Sequence, residues 1–194
     1  MVRNVKKTNF IALVAALIIA LGSLVIGATS ASAAPVPDNP PSKARLAKEV
    51  RKKLVMLPYY GVFDNLAYSI DGGTVTLLGQ VVRPSTRSDA ARSVARIPGV
   101  TRVVNNIEVL PLSSFDDSIR VRTLRALQRS GGLYRYFLGA NPSLHIVVNR
   151  GHVTLTGVVD SNLDRQLAYM TARQVPGTFS VTNQLLLEGE GRAY

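Results

Sequence analysis

The chain has 194 residues, 46% of them hydrophobic, with 23 Lys and Arg against 12 Asp and Glu and no cysteine. This length allows one or two domains, and the lack of cysteine excludes a disulfide-stapled fold, so the core must hold by packing alone. A formal net charge of +11 directs attention to anionic partners, although a modest basic excess also serves solubility.

The chain opens with Arg3, Lys6 and Lys7, continues through an apolar run from Phe10 to Ile26, and closes on Ala31-Ser32-Ala33. That layout predicts a secretory signal peptide over 1–33. An uncleaved membrane anchor is the alternative, because the run approaches the length of a bilayer span. No cysteine follows the run to accept a lipid. Cleavage leaves 20 Lys and Arg against 12 Asp and Glu, a net of +8, on a protein expected in the periplasm. Residues 34–41, with four prolines, suit a semi-rigid tether.

From Ser42 the pattern is that of an N-capped helix. Leu46, Val50 and Leu54 recur at i, i+4, i+8, while Lys43, Arg45, Lys48, Arg51, Lys52 and Lys53 cover the other faces, and Pro58 ends it. Two alternating runs follow, Leu66-Tyr68-Ile70 and Val75-Leu77-Val81, separated by Asp71-Gly72-Gly73, which predicts a hairpin. A second helix over 84–96 buries Ala90, Val94 and Ile97, Pro98-Gly99 stops it, and 100–110 supplies a third strand.

A shift of 78 residues lays this unit on the rest of the chain. Gly73 meets Gly151, Val75-Thr76-Leu77 meets Val153-Thr154-Leu155, and Gly79 meets Gly157. Further on, Arg87 meets Arg165, Pro98-Gly99 meets Pro176-Gly177, and Asn105 meets Asn183. Register kept through a hairpin, a helix and a third strand marks a duplication. The first domain is expected over 42–111 and the second over 112–190.

The two segments "GGTVTLLGQV…IPGVTRVVNNIEV" and "RGHVTLTGVV…VPGTFSVTNQLLL" resemble the BON family (bacterial OsmY and nodulation), over about Ser42 to Glu188. The second copy departs at Thr178-Phe179. The resemblance implies an α+β architecture: two αββαβ sandwich domains, each a three-stranded mixed sheet with two helices on one face. It further implies a periplasmic envelope or stress role, osmotic stress included, through binding of phospholipid or envelope proteins, without chemistry.

The residues themselves offer no catalytic constellation. No G-x-S-x-G, P-loop or H-E-x-x-H occurs, and no cofactor is expected. His145 and His152 fall on adjacent strands out of register and read as surface residues rather than a metal pair. Nucleic acid is not expected as a partner, since neither a GxxG loop between helices nor an RRM-type aromatic strand is present.

Two features remain for binding. The connectors "LPYYGVFDN" and "GGLYRYFLGANPS" join helix to strand with two tyrosines and a phenylalanine each. Either they meet a headgroup boundary, or Phe63 and Phe137 close each core under a lid of tyrosines. Tyr134, Arg135, Tyr136 and Phe137 are the candidates there. The first helix of each copy supplies the others: Lys48 and Lys52 in one, Arg120, Arg125 and Arg129 in the other, as cationic faces for anionic lipid. A solvated helix face is the plain alternative. The expected function is non-enzymatic binding of anionic phospholipid. A protein-interaction module recruiting an envelope assembly, or a small-solute or ion binder, is the alternative.

Overall fold

The hairpin runs set the architecture, because each must bury its alternate side chains under helices. The computed structural model describes residues 42–190, so the expected signal peptide and tether lie outside the described residues. In the first repeat, α1 (Lys43–Val55) precedes β1 (Asn65–Asp71), β2 (Thr74–Val81), α2 (Pro84–Ala95), β3 (Arg102–Asn105) and β4 (Glu108–Val109). The second contains α3 (Ser114–Arg129), a 3-10 helix (Leu133–Phe137), β5 (Leu144–Asn149), β6 (His152–Val159), α4 (Asn162–Arg173) and β7 (Ser180–Leu187). Among the described residues no helix is long and apolar enough to cross a membrane.

Local chemistry accounts for the helix starts. Ser42, Ser113 and Ser161 each accept a hydrogen bond on Oγ from the backbone N–H three residues on, satisfying a donor that the helix leaves unpaired. At α2 no side chain does so, and Pro84 stands where a missing N–H costs nothing.

In each repeat the central strand is antiparallel to its hairpin partner and parallel to the strand that returns after the helix. This is the αββαβ order of a mixed sheet. The parallel register is identical in the two copies, with Thr74 opposite Arg102 and His152 opposite Ser180. β3 and β4 are one strand line with a local break: Gln80 opposite Glu108 continues the register that Thr74 and Arg102 began.

The paired asparagines have a common task. Asn105 Nδ2 donates to the Arg87 carbonyl and Asn183 Nδ2 to the Arg165 carbonyl, both at 3.0 Å. Each side-chain carbonyl accepts the N–H two residues further on. One amide thus ties the return strand to the helix before it, in both copies.

Two cores form. Leu46, Val50, Leu54, Val75, Leu77, Val81, Ala90 and Val94 fill the first. Ile119, Leu127, Leu144, Ile146, Leu155, Ala168 and Ala172 lead the second.

Gly79 and Gly157 occupy matching positions on the second strand of each hairpin. Both lie within it, at positive φ of 111° and 116°. A Cβ at Gly157 would stand 2.0 Å from the Ser143 carbonyl oxygen, so the hairpin partner approaches closely only because no side chain is present. Gly157→Ala should therefore cost about 3 kcal/mol through clash and strain, read as a lower denaturant midpoint with an unchanged slope.

Candidate functional site

Helix α3 carries most of the candidates, and its burial pattern sorts them. Asp116, Ile119, Arg120, Thr123 and Leu127 face inward. Arg120 is 2% exposed: its Nη2 donates to the Val148 carbonyl at 2.7 Å, and its other arm is paired with Asp117. A guanidinium spent on a strand carbonyl has no surface role, so the expectation of a lipid contact at Arg120 is corrected.

The outward stripe is different. Arg122, Arg125 and Arg129, with Ser130, line one side of a cleft of about 520 Å³ between α3 and the end of α4, with Thr171, Gln174 and Pro176 opposite. Their i, i+3, i+7 spacing puts them on one helix face. Arg122 donates to the Pro176 carbonyl at 2.8 Å, and among the described residues neither Arg125 nor Arg129 makes an ion pair. Lys48 and Lys52 are exposed on α1.

The second connector is mostly a latch. Tyr136 is 4% exposed, and its hydroxyl donates to Asp164 Oδ2 at 3.0 Å while accepting from the Asp160 N–H. Arg135 lies over the Tyr136 ring, 4.6 Å from its centroid, and reaches both Asp160 and Asp164. The Ser161 hydroxyl first, then Tyr136 and Arg135, hold the Asp164 carboxyl below the usual range. Phe137 packs on the second core. Tyr136 is thus corrected from a surface contact to an interior tie, and the charge of Arg135 is already matched. Tyr134 and Leu138 remain exposed.

The first connector crosses to the other repeat. Val62 and Phe63 pack on the second core rather than their own, and the Ile146 N–H donates to the Val62 carbonyl at 2.8 Å, continuing the sheet past the edge of β5. His145, expected on the surface, is buried in this seam. Its Nδ1 lies 3.2 Å from the Gly61 carbonyl, which can only accept, so the ring proton sits there. Nε2, 3.4 Å from the Tyr60 hydroxyl, is the acceptor. Burial first, then Asp64, pushes Tyr60 up to about 12, which keeps it a donor. Asp64 fixes the turn by accepting from the Gly61 and Val82 N–H groups. Tyr60, Val62 and Asp64 were not singled out from sequence. The one signal was that the 78-residue shift fails across the connectors.

Among the described residues no three His, Cys, Asp or Glu gather to hold a metal ion. His145 pairs with Thr156 and His152 with Asn149 across the hairpin, so the two histidines do not meet.

With this geometry in hand, comparison with known proteins is specific at the level of family. The BON domain model matches twice, at residues 42–111 and 116–189. The chain belongs to the BON-domain family, in tandem form. No curated protein matches. Among solved structures, the C-terminal domain of CdsD, the structural protein of the type III secretion system of Chlamydia trachomatis, is similar at 12% identity and a TM-score of 0.28, over 73% of this chain and 96% of that one. A second CdsD structure gives 13% identity and 0.27, over 75% and 94%.

The seam has a pH signature. Burial holds the His145 pKa below 6.5, so the folded state excludes a proton that the unfolded state binds. Its contribution is full above 6.5 and is lost as pH falls through the lowered value. Urea midpoints at about pH 7.5 and about pH 5 should show this loss, and His145→Gln should shrink the difference.

Proposed function

We propose that this BON-domain protein is a non-catalytic envelope component that binds anionic phospholipid surfaces through the arginine stripe of α3. Arg125 and Arg129, which make no ion pair among the described residues and lie beside Arg122 in one cleft, carry this reading. Each cation near an anionic leaflet contributes about 1 kcal/mol, and Tyr134 and Leu138 offer exposed side chains suited to a headgroup boundary. The basic face of α1, with Lys48 and Lys52, supplies a second weak contact, and joining two weak contacts in one chain raises their effective concentration on one surface. The signal-like N-terminus supports a periplasmic setting, and the repeat supports domain boundaries at 42–111 and 112–190.

Flotation with neutral and anionic vesicles at low and high salt tests the proposal. Anionic vesicles should retain the protein at low salt and release it at high salt. Arg125→Gln with Arg129→Gln should weaken retention about thirtyfold, whereas Arg135→Gln, whose charge is already matched, should leave it unchanged. Absence of binding to anionic vesicles would transfer the role to an envelope protein partner, to be sought by pull-down.

A further inference from the structure

The two first helices bury the same spacing, Leu46, Val50 and Leu54 in α1 against Ile119, Thr123 and Leu127 in α3. Aligned on those positions, Lys43 stands where the second repeat has Asp116, and Ala47 where it has Arg120. In the second repeat both side chains fill the space between helix and hairpin. Asp116 accepts from the Arg150 and Gly151 N–H groups at 2.8 Å, and Arg120 reaches the Val148 carbonyl.

Lysine cannot accept those hydrogen bonds, and alanine cannot span the gap. The first repeat therefore has a groove of about 630 Å³ between α1 and β1. Ala44, Ala47, Tyr68 and Ile70 form its apolar walls, with Lys43, Lys48 and Arg51 at the rim. The Tyr68 hydroxyl donates to the Ala47 carbonyl at 2.9 Å, holding helix and strand together at the groove. A cavity of this size with mostly apolar walls and a few charged groups has the form of a small-molecule site. Three cations at an apolar mouth select an anionic head on an apolar tail.

We propose that this groove binds the hydrocarbon chain of a free single-chain anionic amphiphile, such as a long-chain fatty acid, with its head held by Lys43, Lys48 and Arg51. The site is distinct from the α3 cleft, and of its head-binding cations only Lys48 also belongs to the α1 face proposed to meet vesicles.

Palmitate, supplied as monomer, is the probe for calorimetric titration of the full chain. One saturable site is expected, with no binding of acetate. Ala47→Arg restores the filler of the second repeat and should weaken palmitate at least about tenfold. Lys48→Glu with Arg51→Glu, which leaves the groove open, should do the same, and circular dichroism confirms that both variants fold. A photo-crosslinking residue at Ala44, on the groove wall, should trap palmitate. Absence of saturable palmitate binding, or wild-type affinity in folded Ala47→Arg, overturns the proposal. So do crosslinks from Ala44 to residues before Ser42 or to a second copy, which would show a different occupant. Palmitate binding that persists in the Arg125→Gln, Arg129→Gln variant supports the separation of the two sites.

Discussion

The hydrogen bond from the Ile146 N–H to the Val62 carbonyl joins the two repeats into one object. Strand β5 is the edge of its sheet, and an uncovered edge invites pairing with other chains. Here the covering comes from the first repeat's own connector, which carries Val62 and Phe63 onto the second core. Tyr60 and the neutral His145 ring then close the contact, and Asp64 holds the connector to the end of β2. A repeat of about seventy residues has a thin core by itself. Sharing a core across the seam offsets that weakness without any disulfide.

The same duplication shows how equal scaffolds acquire unequal surfaces. Asn105 and Asn183 keep one tie, and Gly79 and Gly157 keep one close approach. Away from such fixed points the copies diverge by single substitutions with spatial consequences. Arg120 fills a space that Ala47 leaves open. Tyr136 turns back to the start of α4, whereas Tyr60 reaches outward to its neighbour. The second repeat thus spends Arg120 and Arg135 internally and keeps Arg122, Arg125 and Arg129 for the surface. The first keeps its cations exposed around a groove.

Element order, the hairpins and the inward faces of the helices were legible because periodicity and the 78-residue shift act along the chain. Leu46, Val50 and Leu54 show the pattern plainly, as do the pairs Ala90 with Ala168 and Pro98 with Pro176. The seam was not legible, because it joins Tyr60 to His145 across 85 positions, in connectors of different length where the shift gives no guide. Arg120 and Tyr136 misled for a related reason. Charge and hydroxyl suggest solvent until a partner is known, and their partners, Val148 and Asp164, come from distant elements. The position of Arg120 beside Ile119 and Thr123 on the inward face of α3 was the available clue.

The seam also bears on how the gene doubled. A symmetric dimer uses the same patch on both subunits, each residue returning its partner's contact. Here Tyr60 meets His145, whereas Ala67, which holds the strand position of His145 in the first repeat, is exposed. The contact is one-directional. Fusion of a two-fold homodimer predicts a reciprocal pair of contacts, whereas this seam has the asymmetry of a head-to-tail contact between tandem units.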